Sequence, residues 1–164
     1  MKRLLSLLIL SALLFSGCSG QSQHMKEPVT FYYLRSQFEY GSTQSIMDGE
    51  EWESSGHRND LRYLMALYLI GPSSEELRSP LPLGTRILSA EQEGSSVTLT
   101  LSEMPAAMTD AAFSLACSCL TRTCMGLTQA DSVSVVSGTR TVTMGADNLI
   151  LTDSLDTIDT EEAQ

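Results

Sequence analysis

The chain shows two hydrophobic periodicities. Val29-Thr30-Phe31-Tyr32-Tyr33-Leu34 is rich in β-branched and aromatic residues and predicts a strand. Residues 36–58 are polar and loop-like, with a second short strand expected near Ile46 to Trp52. Asn59 or Asp60 is placed to cap a helix running to Ile70. Leu61, Leu64, Met65 and Tyr68 form one apolar stripe on that helix, and Tyr63, Leu67 and Ile70 form another. Most of its circumference is therefore expected to be covered. Gly71 supplies a left-handed stop, and Pro72 prevents continuation. Ser73-Ser74-Glu75-Glu76 has capping-box spacing for one short turn.

Farther on, Gly84 to Ala90 and Ser96 to Ser102 read as a hairpin around Glu93-Gly94-Ser95. Val97, Leu99 and Leu101 alternate with Thr98, Thr100 and Ser102, the pattern of a strand with one buried face. A second helix is predicted from Thr109 to Met125, ending near Gly126. Val133, Val135 and Val136, then Ser137-Gly138, then Thr141-Val142-Thr143-Met144 predict a last hairpin. Asn148 to Leu151 is expected to add a short terminal strand. The fold class is α+β, with two helices packed on one face of a mainly antiparallel sheet.

Residues 1–17 have a different character. Lys2 and Arg3 precede an apolar run from Leu4 to Phe15, broken only by Ser6 and Ser11, and the small Ser16 and Gly17 follow. These are the parts of a secretory signal peptide, and the run falls short of the ~20 apolar residues that span a bilayer. Cys18 stands where a lipoprotein box requires it, although Phe15 replaces the more usual Leu. The expected mature chain begins at Cys18 with a diacylglyceryl thioether. Two acyl chains suffice for stable anchoring, here at the extracytoplasmic face of the membrane. Residues 18–27 read as a tether, 28–152 as the folded domain, and 153–164 as an acidic, disordered tail.

Cleavage before Cys18 leaves 147 of the 164 residues, enough for one modest core, with 8 basic against 20 acidic side chains and a formal charge of −12. Such a chain is repelled by nucleic acid and by anionic membrane surfaces. No nucleic-acid partner is expected, and membrane attachment falls to the lipid on Cys18. Cys117, Cys119 and Cys124 remain, and three thiols cannot all pair within one chain. Either the source environment is reducing or the thiols are buried apolar side chains.

The order of motifs resembles the GerMN domain, a sporulation and spore-germination module of lipoproteins in spore-forming Gram-positive bacteria. The likeness rests on Phe31-Tyr32-Tyr33-Leu34, on Gly56-His57-Arg58-Asn59-Asp60-Leu61-Arg62-Tyr63-Leu64, and on Gly71-Pro72. It continues through Pro82-Leu83-Gly84-Thr85-Arg86-Ile87-Leu88, Val97 to Ser102, Leu115-Ala116-Cys117-Ser118-Cys119-Leu120 and Leu127-Thr128, covering Val29 to Met144. The resemblance implies a fold similar to ring-building domains of secretion systems. It also implies a non-enzymatic role in assembling envelope complexes. This chain has one copy of the module where the two-domain germination protein has two.

The chain carries no dinucleotide fingerprint, phosphate loop or zinc-protease helix. His24 falls in the tether. His57, beside Arg58 and Asp60, is read as fixing the helix entrance rather than as a base. On a helix Cys117 and Cys124 share a face while Cys119 points elsewhere, which converges poorly for a metal. No metal or cofactor is expected, and no catalytic residue is assigned. Glu50, Glu51 and Glu53 read as a solvated loop. Phe38, Tyr40 and Trp52 mark a candidate partner-binding loop or, equally, aromatics that fold back onto the core. The expected function is a lipid-anchored binding or assembly module of the envelope. Its expected partners are the membrane, envelope or sporulation proteins, and peptidoglycan. The rivals are a peptidoglycan-active enzyme and a small-ligand carrier.

Overall fold

The structure, a computed structural model, describes residues 27–37 and 45–149. Seven strands and two α-helices follow in the order β1 (Pro28–Arg35), β2 (Met47–Glu53), α1 (Leu61–Tyr68), β3 (Leu77–Arg78), β4 (Ile87–Glu93), β5 (Ser96–Leu101), α2 (Asp110–Thr128), β6 (Ser132–Ser137) and β7 (Arg140–Gly145). The class is α+β, but the strands divide into two sheets instead of one. One sheet has the order β2-β1-β3 and the other β4-β5-β6-β7. Every pairing is antiparallel except β5 with β6. Parallel neighbours need a long crossover, and α2 is that crossover.

Helix α2 also explains the division. It lies against β1 of the first sheet and against β6 and β7 of the second. The Tyr32 backbone N–H, on the side of β1 away from β2, donates to Thr123 Oγ1 at 2.9 Å. Strand β3 pairs only with Leu34 and Arg35. The helix thus occupies the edge of β1 where a further strand would have merged the sheets. Covering an edge in this way also protects it from stray pairing.

The alternation works as expected in β5 and β6. Val97, Leu99, Leu101, Val133 and Val135 are buried, joined by Val29, Phe31 and Tyr33 from β1 and by Phe113, Ala116, Cys117, Leu120 and Cys124 from α2. Each large apolar side chain so buried stabilises the fold by about 1.5–3 kcal/mol before entropic costs. Helix α1 starts where Asp60 accepts from the Tyr63 N–H, and Gly71 follows it at φ 91°. Tyr68 fastens its end: the ring stacks on Tyr33 at 4.7 Å, its hydroxyl donates to the Tyr32 carbonyl, and Tyr33 donates to its own carbonyl.

Four local expectations change. Ile70 lies beyond α1 and is 71% exposed, so the second apolar stripe is covered only at Tyr63 and Leu67. Helix α2 runs through Gly126 to Thr128 and stops at Gln129, which is left-handed at φ 59°. Two residues after Glu75-Glu76 form β3, set by pairing across from β1. Ala146–Asn148 is a 3-10 turn, not the start of a terminal strand, because Asn148 Oδ1 accepts the Gly145 N–H and curls the chain. The remainder of that expected strand, from residue 150, lies outside the described residues.

Candidate functional site

Cys18, Phe38 and Tyr40 lie outside the described residues, as do His24 and the acidic tail. Trp52 is described. It sits on the inner face of β2 opposite Val29, half-buried, with its ring 5.9 Å from that of Phe31. Of the two places open to it, Trp52 takes the one against the core. The same parity turns Glu50 inward beside it, opposite Phe31. The Glu50 carboxylate accepts from the Ser73 N–H and hydroxyl, so it ties β2 to the segment after Gly71-Pro72. Glu51 and Glu53 point to the other face and are exposed. The three acids therefore belong to a strand and do not act as one cluster.

His57 is exposed and stacks on the Tyr63 ring at 4.1 Å. Its N–H donates to the Ser54 carbonyl, and its own carbonyl accepts from Asp60, which makes it part of the α1 entrance. Arg58 beside it does something the spacing alone did not reveal. Its guanidinium donates to the Leu127 carbonyl at 3.0 Å, capping the C-terminus of α2 from 69 residues away. A cation there meets both an orphan carbonyl and the negative end of the helix dipole. The only sequence signal was an Arg in a turn that must face something.

Cys117, Cys119 and Cys124 are free thiols and fully buried. Burial pushes each up to about 12, with Arg78 partly opposing the shift at Cys119. A thiol so far above its ordinary range is held protonated, the state of a packing group and not of a nucleophile. The Cys124 thiol contacts Met65 Sδ at 3.7 Å, linking the two helices. All sides of α2 that carry these thiols are covered, including that of Cys119. Among the described residues no group of three or more His, Cys, Asp or Glu is arranged to hold a metal ion.

The surface has shallow polar grooves. One of about 230 Å³ is lined by Arg58, Asn59, Leu61, Leu64, Gln92, Leu127 and Thr128. Another, of about 450 Å³, lies at the β6–β7 turn among Glu103, Met104, Ser137, Thr139 and Arg140. Neither contains His57, a cysteine, or a pair of carboxylates. Arg140 is fully engaged there: it donates to the Met108 carbonyl, pairs with Asp110 at 3.4 Å, and lies over the Phe113 ring. No described helix is long and apolar enough to cross a membrane.

These features define a two-sheet α+β module whose buried thiols, Glu50, Arg58 and Arg140 serve its structure. The family model described as Germane, sporulation and spore germination, matches residues 30–140, and the chain belongs to that family. Two solved structures are similar to it. One is a "Putative Lipoprotein from Clostridium perfringens", 16% identical, covering 73% of this chain and 87% of that one at a TM-score of 0.47. The other is the tandem GerMN domains of the sporulation protein GerM from Bacillus subtilis, 19% identical at a TM-score of 0.49. That match covers 69% of this chain but only 39% of the tandem protein. A search of the curated proteins found no match.

Proposed function

We propose that this protein is a lipid-anchored, non-enzymatic binding and assembly module of the cell envelope, acting in sporulation or spore germination. The observation that carries the reading is the family match across residues 30–140. Two further features support it. The signal-like segment ends at Cys18. Beyond it, Glu50, His57 and the three thiols are each committed to separate structural contacts. The lipid on Cys18 holds the domain at the extracytoplasmic surface, and residues 18–27 give it reach. Confinement to the membrane plane raises the effective concentration of its partners without any new contact. The partner-binding segment includes Phe38 and Tyr40 and is bordered in sequence by β2, which carries Trp52; envelope or sporulation proteins are its targets, and peptidoglycan is a further candidate.

Membrane fractionation of Cys18→Ala, followed by cross-linking and pull-down of the unaltered protein from envelopes, tests this. The variant should leave the membrane fraction, and the unaltered protein should recover envelope proteins. Retention of the variant in the membrane would sink the anchor, and recovery of no envelope protein would sink the assembly role.

A further inference from the structure

Sheet edges are where this backbone meets solvent, and four strands lie at sheet ends: β2, β3, β4 and β7. An edge recruits further strands unless charge, a bulge, brevity or a cover prevents it. Strand β2 carries Asp48, Glu50, Glu51 and Glu53. Strand β3 is two residues long. Strand β4 has a register irregularity between Ile87 and Ser89, carries Glu91 and Glu93, and lies against α1. Strand β7 packs against α2 and begins with Arg140, but it has no acid, no bulge and no brevity to guard its edge. Its six residues keep unbroken register with β6 and include no acid and no proline.

The turn decides which backbone groups of β7 face outward. Gly138 and Thr139 alone join β6 to β7, and Gly138 has φ 59°, as the first central residue of a type II′ turn requires. Such a turn makes Ser137 and Arg140 a hydrogen-bonded pair. Arg140, Val142 and Met144 then direct their N–H and C=O groups to β6, while Thr141, Thr143 and Gly145 direct theirs away. Gly145 agrees, since its N–H donates to Asn148 Oδ1 at 3.1 Å. Among the described residues nothing meets the outward groups of Thr141 and Thr143.

We infer that β7 is a self-association edge: two copies of this chain pair antiparallel through β7 about a dyad at Val142. The side chains select this occupant. A strand laid beside β7 must set polar groups next to Thr141 and Thr143 on the outer face. It must also set an apolar group next to Val142, which like Met144 is half-buried against the core on the inner face. Strand β7 meets these demands at Thr141, Val142 and Thr143, and sets Arg140, whose guanidinium lies over the Phe113 ring, opposite Met144. About the Val142 dyad, Thr141 of each copy lies opposite Thr143 of the other. Each of these two pairs exchanges both of its N–H···O bonds, and Val142 meets its own counterpart. A dyad normal to the sheet keeps inner face with inner face, whereas a one-residue slip would set Thr against Val. The interface is isologous, so it closes at two copies. The net charge of −10 opposes it, so screening by salt strengthens it. This goes beyond the assembly role proposed above, and its failure would leave the anchor test untouched.

Disulfide trapping in the full-length, membrane-bound protein tests the pairing. A non-hydrogen-bonded antiparallel pair holds its Cα atoms roughly 4.5 Å apart, within disulfide reach. Under mild oxidation Val142→Cys should give a cross-linked homodimer that increases with salt. The unaltered chain, which controls for Cys18, and Glu51→Cys and Thr98→Cys should not. Cys117, Cys119 and Cys124 are fully buried and do not compete. Adding Thr143→Pro to Val142→Cys should abolish the dimer with the circular dichroism unchanged, because the Thr143 N–H takes no part in the β6 ladder. A monomeric Val142→Cys chain, equal trapping by Glu51→Cys, or trapping chiefly to a different protein would each overturn the inference.

Discussion

The three thiols on α2 give this protein a built-in sensitivity to alkali whose size follows from the structure. Burial raises Cys117, Cys119 and Cys124 from 9.0 to about 12, whereas unfolding returns each to 9.0. The sign is fixed by linkage. Below pH 9 both states hold the protons and the contribution is fully present. Between pH 9 and about 12 the unfolded chain releases protons that the folded chain keeps, so stability falls as pH rises. Each thiol costs a little over 1 kcal/mol per pH unit in that window, so the three together cost roughly 4 kcal/mol by about pH 10. That is a large part of the ~5–15 kcal/mol that holds a domain of this size. Tyr33 and Tyr68 are also raised by burial from 10.0, and therefore act only above the first unit of the thiol window. The assay is urea unfolding of the Cys18→Ala protein under a thiol-free reductant from about pH 8 to about pH 10. Cys119→Ala should remove about a third of the loss. A flat stability over this range, or thiolate absorbance in the folded protein rising with a midpoint near 9, would refute the reasoning.

Two further substitutions probe how the elements are held together. A Cβ at Gly49 would lie 2.8 Å from Thr30 Cγ2 and 3.3 Å from Tyr32 Cε1, and that ring is itself held under Arg122. Gly49→Ala should therefore lower the urea-unfolding free energy by about 1–3 kcal/mol, and an unchanged midpoint would mean that the ring swings clear. Arg58→Ala strips the cap from α2 and should cost about 1 kcal/mol, with faster amide exchange in the last turn of that helix. Arg58→Lys should recover only part, because an ammonium lacks the guanidinium fork; unchanged exchange in Arg58→Ala would exclude the cap.

What was legible in the chain was local. Alternation marks β5 and β6, Asp60 and Gly71 bracket α1, and Thr109 starts α2 by accepting from the Ala112 N–H. What escaped was set by groups far apart in sequence. The Tyr32-to-Thr123 bond spans 91 residues, and no pattern near either residue announces that a helix will lie along β1 and keep the sheets separate. Helix α2 outruns Gly126 because Arg58 meets its last carbonyls from outside. Glu50 reads as a loop acid until pairing with β1 gives it an inward parity and Ser73 gives it a partner.

The same reasoning explains why β7 could not be singled out beforehand. Its turn, its alternation and its lack of acids are all readable, but its place at the end of a sheet is not. That place follows from α2, which as a crossover sets β5 and β6 side by side in parallel and so drives β4 and β7 to opposite edges. Strand β4 arrives at its edge with acids and a bulge, and β7 arrives with neither. An unguarded edge is a liability that a purely monomeric domain would be expected to blunt, and one charge in place of Thr141 or Thr143 would do so at little cost to the strand.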